Sequence, residues 1–304
     1  MQGIIVKGIG GLYFVDVNET VYSCKARGKF RYNGLTPLIG DNVIIEVNEE
    51  DSTGVINEIL ERHTELIRPT VANVTQAFVV FAFKQPDLNL DLLYKFLLLC
   101  EHNNLKAIVC FNKMDLVNDE YINTGKILEA AGYDVLYLQA KHDKGLEALK
   151  EKIKDNISVF CGPSGVGKST ILNKFMGKEV MKTGDISNKL KRGKHTTRHS
   201  ELIKVEDGFL VDTPGFSSLD LDFISKEDLQ FCFPEFNEYR NQCKFNNCIH
   251  YKEPGCKVKE ALQEEKIDIS RYEFYKKTLE EAMNRGTWKW SKFHHQYYQQ
   301  IFQN

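Results

Sequence analysis

The sequence predicts a chain of three parts: an all-β barrel, an α/β domain with a mostly parallel sheet, and a mainly helical tail. Three observations carry this prediction. Short β-branched runs broken by turn residues fill residues 1–68. Apolar strand-like runs then alternate with helical segments over 69–222, and the strand pattern stops within 223–304. With 304 residues and 42% hydrophobic composition, the chain can bury two or three cores, so disorder is not expected.

In the head, the run Gly3–Val17 is interrupted by Gly8, Gly10 and Gly11. Val21–Cys24, Gly28–Tyr32, Val43–Val47 and Gly54–Ile59 continue it, with turn signals at Asn33-Gly34 and Gly40-Asp41. About five short strands in so little chain suggest a small barrel, of which an OB-fold is one solution. In the middle part the strand-like runs are Ala77–Phe83, Ala107–Phe111, Val135–Leu138, Ile157–Cys161 and Phe209–Val211. The helical segments between them are Asp91–Asn103, Glu120–Ala131, Gly145–Ile153 and Ser169–Phe175. Alternation of this kind implies a parallel sheet covered on both faces. In the tail, Ser270–Met283 is the clearest helix.

Composition excludes several classes. The longest apolar runs, Ala77–Phe83 and Leu90–Cys100, fall short of the roughly 18 residues of a membrane span. The start Met1-Gln2-Gly3-Ile4 does not read as a secretory signal. A net charge of −2 excludes a wholly basic nucleic-acid coat but leaves room for a local basic face. Eight cysteines are too sparse for a disulfide scaffold, and a cytoplasmic protein is expected. Cys24, Cys100, Cys110, Cys161 and Cys232 read as small apolar residues.

The strand Ile157–Cys161 runs into Gly162-Pro163-Ser164-Gly165-Val166-Gly167-Lys168-Ser169-Thr170, which fits G-x-x-x-x-G-K-[ST] between a strand and a helix. Glycines let backbone N–H groups turn inward around phosphates, and the following helix N-terminus adds its positive end. Lys168 should reach the β- and γ-phosphates, and the Ser169 hydroxyl should ligate Mg²⁺. Downstream, Phe209-Leu210-Val211-Asp212 is a strand ending in a carboxylate, followed by Thr213-Pro214-Gly215-Phe216. Asp212 can hold Mg²⁺ through water, and the Gly215 N–H can meet the γ-phosphate. Alone, Asp-Thr-Pro-Gly is also a good turn.

The strand Ala107–Phe111 leads into Asn112-Lys113-Met114-Asp115. A carboxylate at Asp115 can accept from guanine N1–H and N2–H₂, a donor pair that adenine lacks, and a buried one would reject adenine. Lys113 can lie along the base, and Asn112 can brace the loop. Gln139-Ala140-Lys141 could present a backbone N–H, from Ala140 or Lys141, to guanine O6; an ordinary strand-to-helix loop is the alternative. GTP is therefore the expected substrate and GDP the product. In most GTPases the phosphate loop comes first and the guanine-reading loops last; here that order is reversed. Every one of these loops sits at a strand C-terminal end, so cutting and rejoining the chain preserves their convergence. The middle part reads as an α/β P-loop GTPase domain in circularly permuted form.

Cys243-x4-Cys248-x-His250-x5-Cys256 offers three thiolates and one imidazole, the Cys₃His set of a closed structural zinc site. Disulfides are the alternative. The permuted order, the cysteine-rich tail and the barrel-like head together resemble the RsgA (YjeQ) family of ribosome small subunit-dependent GTPases, over essentially the whole chain. The resemblance implies an OB-fold, a permuted GTPase domain and a C-terminal zinc-binding domain, with Cys243, Cys248, His250 and Cys256 as ligands of one structural Zn²⁺. It also implies binding to the 30S ribosomal subunit and its 16S rRNA late in maturation, with GTP hydrolysis stimulated by the subunit and driving release.

Gly193-Lys194-His195-Thr196-Thr197 resembles that family's G-[RK]-H-T-T switch. A threonine here would complete the Mg²⁺ shell; Thr196 and Thr197 both fit, and Thr197 is preferred. Phe216 stands where many GTPases have a water-orienting glutamine, and a phenyl ring cannot orient water. Unaided hydrolysis should therefore be slow. His195 is the candidate for positioning the attacking water, with a structural loop residue as the alternative. Two segments mix cations with aromatics and suit RNA: Lys25–Arg31 in the barrel and Arg285–His295 in the tail. The first is otherwise a solvated strand face, and the second otherwise packs Trp288 and Trp290 into the terminal domain. A monomer is expected, with no membrane association. Two rival readings remain: a GTP-dependent switch acting on an RNA or protein other than the 30S subunit, and a non-enzymatic RNA-binding module with a vestigial nucleotide site, against which the intact Lys168, Ser169, Asp212 and Asn112–Asp115 argue.

Overall fold

The computed structural model describes residues 1–32, 34–48, 50–67, 69–117, 121–176, 201–212, 221 and 223–284. The chain divides into two compact units, one of 1–219 with 231–238, the other of 220–230 with 239–304.

The first unit begins with a closed barrel. Its strands are β1 (Gln2–Ile9), β2 (Leu12–Val17), β3 (Thr20–Ala26), β4 (Asn42–Asn48) and β5 (Thr53–Ile59), in the order β1-β2-β3-β5-β4. β4 pairs back onto β1 through Gln2↔Ile44 to Ile4↔Asn42, which removes both sheet edges. Gly10 and Gly11, at φ +59° and +83°, turn β1 into β2. Ile5, Val15, Cys24, Val43, Ile45 and Ile56 fill the interior. Gly28–Tyr32, which the sequence suggests as a strand, instead contains a single helical turn, α1 (Lys29–Tyr32). The pattern of one apolar residue between two cations fits either form. The turn is selected because it drops Phe30 into the barrel core at 5% exposure. Two short strands, β6 (Glu65–Ile67) and β7 (Thr70–Ala72), follow the barrel as a hairpin.

The α/β sheet contains β8 (Gln76–Ala82), β9 (Lys106–Asn112), β10 (Asp134–Tyr137), β11 (Ile157–Cys161), β12 (Leu202–Val205) and β13 (Gly208–Val211). The order is β10-β9-β8-β11-β13-β12, parallel except for β12, which pairs antiparallel with β13. Every residue of β8 and β11 is buried, as central strands covered on both faces require. Helices α2 (Leu90–His102), α3 (Ile122–Ala130), α4 (Leu146–Ile153) and α5 (Lys168–Met176) alternate with the strands. Asn89 caps α2, its side chain accepting from Leu92 N–H at 3.0 Å. Leu149 and Ile153 of α4 and Ile171 and Leu172 of α5 pack with Phe78, Val80, Ile108 and Phe160 of the sheet.

This topology places the site. From β8 the chain moves outward through β9 to β10; from β11 it goes the other way, to the edge strand β12 and back to β13 beside β11. Neighbours β8 and β11 are thus the point where the winding direction reverses, and the crevice beyond their C-terminal ends is where an open α/β sheet binds its ligand. The phosphate loop leaves β11 at that point.

In the second unit, α6 (Lys257–Gln263) and α7 (Ile269–Asn284) bury Val258, Ala261, Tyr272, Phe274, Tyr275 and Leu279. No helix among the described residues is long and apolar enough to cross a membrane.

Candidate nucleotide site and cysteine cluster

The phosphate loop needs its glycines for stated reasons. Gly162 has φ +128°, and a Cβ there would lie 2.1 Å from the Val80 carbonyl oxygen of β8. Gly167 has φ +102°, and its Cβ would lie 2.3 Å from Asn112 Nδ2. The loop backbone thus comes close to the β8 backbone at Gly162 and to the Asn112 side-chain amide at Gly167, where a side chain would push them apart. Val166 is fully buried, whereas Ser164 and Gly165 are exposed at the tip. α5 begins at Lys168, with Ser169 and Thr170 in its first turn, where helix N–H groups lack intrahelical acceptors.

Lys168 is 7% exposed. Its Nζ donates to the carbonyls of Gly162 (2.8 Å) and Pro163 (2.6 Å), so the ammonium is held inside the loop it serves. Burial pushes its pKa down to about 8. An ammonium that is desolvated but held by carbonyls is poised to be restabilised by phosphate charge.

Asn112 is the brace between loops. It is 3% exposed; its Nδ2 donates to the Val166 carbonyl at 2.9 Å, and its Oδ1 accepts from Ala140 N–H at 3.0 Å. One amide therefore ties the Asn112–Asp115 loop to the phosphate loop and to the Gln139–Lys141 loop. Met114 N–H donates to the Leu138 carbonyl at 3.1 Å, which strengthens the second tie. Lys113 adopts φ +62° and donates to the carbonyl of Gln85, on the loop after β8. Asp115 is exposed, with its Oδ2 4.0 Å from His142 Nε2. The burial that would make it discriminating has to come from the base itself. Ala140 is buried and Lys141 is exposed.

Asp212, directly after β13, donates its N–H to the Glu201 carbonyl, and its Oδ1 accepts from the Glu201 N–H, both at 2.9 Å. His195, Thr196, Thr197, Gly215 and Phe216 lie outside the described residues, as does the Arg285–His295 segment. In the barrel segment Lys25–Arg31, Lys25, Arg27 and Lys29 are exposed, but Phe30 belongs to the core and is not available for base stacking.

In the second unit the donor atoms of Cys243, Cys248, His250 and Cys256 all lie within 4.8 Å of one another. His250 Nδ1 is 3.6 Å from Cys243 Sγ and 3.4 Å from Cys256 Sγ, and those two sulfurs are 4.0 Å apart. A tetrahedron of zinc–sulfur bonds has edges of about 3.8 Å, so the donor set fits. A sulfur–sulfur separation of 4.0 Å does not fit a bond of about 2.05 Å. The imidazole is oriented from outside: Gln230 Nε2 donates to the Glu227 carbonyl at 3.0 Å, which turns Gln230 Oε1 toward His250 Nε2 at 2.9 Å. The proton then belongs on Nε2, and Nδ1 offers its lone pair to the cluster. Glu253 accepts from Ile249 N–H (3.0 Å) and Tyr251 N–H (2.8 Å), closing the loop that carries His250 at φ +59°. The other five cysteines are buried and unbridged.

Glu201, Gln230 and Gln85 were not singled out by the sequence. Each acts on a residue far from it in the chain, and no local motif marks that kind of contact.

The strand order, the glycine loop on β11 and the Asn112–Asp115 loop on the preceding β9 define a circularly permuted P-loop GTPase. Comparison with known families matches residues 59–222 to the RsgA GTPase and residues 2–56 to the RsgA N-terminal domain. A Clostridium botulinum protein called small ribosomal subunit biogenesis GTPase RsgA is 61% identical over 95% of this chain and 100% of its own length. A Clostridium perfringens protein of the same name is 60% identical over 94% of this chain and 99% of its own. The crystal structure of YloQ, described as a circularly permuted GTPase, aligns with TM-score 0.81 at 37% identity, covering 95% of this chain and 96% of that one. YjeQ from Thermotoga maritima aligns with TM-score 0.80 at 37% identity, over 93% of this chain and 99% of that one. The chain belongs to the RsgA GTPase family.

Proposed function

We propose that this GTPase acts in biogenesis of the small ribosomal subunit, binding the 30S particle late in its maturation and leaving it after GTP hydrolysis. The observation that carries the reading is the 61% identity, over 95% of the chain, to relatives named for that role. Phe216 adds a reason for dependence on the particle: the chain lacks a glutamine to orient water at this position. In this reading His195 positions the water when the protein is on the particle, in the cytoplasm and with the protein as a monomer. The exposed Lys25, Arg27 and Lys29 contact 16S rRNA phosphates. The test is GTP turnover alone, with 30S and with 50S subunits. Strong stimulation by 30S alone is expected; equal, slow turnover in all three would assign the protein to another partner.

Within the site, Gly162–Thr170 cradles the phosphates, and Lys168 neutralises charge at the β- and γ-oxygens. Ser169 and Thr197 would ligate Mg²⁺, with Asp212 holding it through water, and the Gly215 N–H would meet the γ-phosphate. Bound Mg²⁺ supplies electrostatic stabilisation of the charge that develops on the leaving phosphate oxygens. Lys113, Asp115 and Lys141 form the guanine site, braced by the Ala140 N–H to Asn112 Oδ1 hydrogen bond, which takes the Ala140 N–H out of the role of meeting guanine O6, and Cys243, Cys248, His250 and Cys256 would hold a structural Zn²⁺. Asp115→Ala removes two hydrogen bonds to a charged acceptor, each contributing about 1.5–3 kcal/mol. GTP affinity should fall by at least about a hundredfold. Competition by ATP should rise correspondingly, as measured with a fluorescent guanine nucleotide; unchanged selectivity would remove Asp115 from the base site.

A further inference from the structure

We infer that the barrel is part of the framework that positions the catalytic carboxylate, with Glu201 as a positioning residue for Asp212 and Lys7 of β1 as its anchor. The inference rests on the reading of Asp212 as the Mg²⁺-side carboxylate. Glu201 is held from two sides. On one, its backbone N–H and carbonyl make the two 2.9 Å hydrogen bonds to Asp212, one of them to the carboxylate oxygen Oδ1. On the other, it forms an antiparallel bridge with Lys7, and Lys7 Nζ lies 2.7 Å from Glu201 Oε2.

Strand β1 is shaped for this contact. Its register with β2 slips between Ile5 and Lys7, the two-against-one signature of a bulge, which re-aims the side chain that follows. A second tie of the same kind joins Lys204 of β12 to Glu19, between β2 and β3, at 3.0 Å. In sequence, Glu201 directly follows the segment that carries His195 and Thr197. The barrel thus grips residue 201, whose main chain sets the direction of one Asp212 oxygen.

Lys7 and Glu201 are 34% and 44% exposed, and partly exposed pairs contribute little to stability. The effect sought is therefore in metal dependence, not in melting. The experiment measures the Mg²⁺ concentration for half-maximal GTP turnover in the full chain, and fluorescent GDP affinity without Mg²⁺. Lys7→Met should raise the Mg²⁺ midpoint about threefold to fivefold, and Lys7→Glu, which places a second carboxylate beside Glu201, about tenfold. Metal-free GDP affinity and melting temperature should stay near wild type. Lys7→Glu with Glu201→Lys should restore the midpoint. Asp212→Asn is measured in parallel. If it shifts the midpoint while both Lys7 variants do not, the barrel anchor is wrong and the Asp212 reading stands. If Asp212→Asn leaves the midpoint unchanged, the Asp212 reading fails and the anchor falls with it.

Discussion

Lys168→Ala is expected to lower GTP turnover by at least about a hundredfold, the loss typical of removing one preorganised group that meets developing charge. The geometry explains why nothing nearby substitutes. Lys168 Nζ sits inside the loop, donating to the Gly162 and Pro163 carbonyls, and the chain reaches that point only because α5 starts there. Lys168→Arg is not expected to rescue, because a planar guanidinium does not occupy the volume of a compact ammonium between two carbonyls.

The same burial gives a pH dependence with a definite sign. The Lys168 pKa is lowered by burial from its ordinary 10.5 to about 8. In the empty protein the unfolded chain holds the proton more tightly than the folded one. The charged lysine therefore costs stability below pH 8, and that cost is relieved as pH rises from about 8 toward 10.5. Nucleotide binding has the opposite sign, because phosphates select the ammonium. Affinity should be full below pH 8 and fall about tenfold per pH unit above it, until the pKa of the bound state is reached. Titrating fluorescent GDP between pH 7 and 10 checks this, and Lys168→Met should give a flat profile. A wild-type profile as flat as that of Lys168→Met would show that the ammonium does not meet phosphate.

Stripping the metal from the second unit, or replacing Cys248 by Ser, should unfold that unit at room temperature. Structural zinc contributes about 10–16 kcal/mol in small domains. That exceeds the roughly 5–15 kcal/mol by which a whole domain is usually stable. The buried apolar side chains of the unit's two helices are few: Val258 and Ala261 on α6, and Tyr272, Phe274, Tyr275 and Leu279 on α7. Hydrogen exchange should show Lys257–Gln263 and Ile269–Asn284 losing protection after chelation, and elemental analysis should give one zinc per chain before it. Gln230→Ala should weaken zinc binding about 10-fold to 100-fold in competition with a chromophoric chelator, since it frees the imidazole to rotate or change tautomer. A unit that stays folded without metal would reassign the cluster to a role other than structural support.

How much of this was legible in the sequence differs from element to element. The phosphate loop was legible because its chemistry is local: a buried strand, glycines at positive φ and a helix start fall within one short stretch. The guanine loop and the permutation were legible for the same reason, each loop following its own apolar strand. β8 and β11 could be read as strands because burial on both faces demands an unbroken apolar run. β12 was not singled out: Leu202–Val205 is a short edge strand whose middle residues are not buried. Gly28–Tyr32 was misread because a cation–aromatic–cation pattern is shared by a strand and a helical turn, and only the space inside the closed barrel decides between them.

The residue types required for GTP chemistry and for a Cys₃His cluster were therefore set by the sequence alone, since each depends on spacing within a few residues. What packing alone decided is which distant atoms meet. Asn112 joins two loops through one amide, Gln230 sets the proton on His250, and Lys7 of the barrel reaches Glu201 beside Asp212. A hydrogen bond has no memory of chain separation. Its partners are chosen when the sheet, the barrel and the helices close around their cores, and no local pattern records that choice in advance.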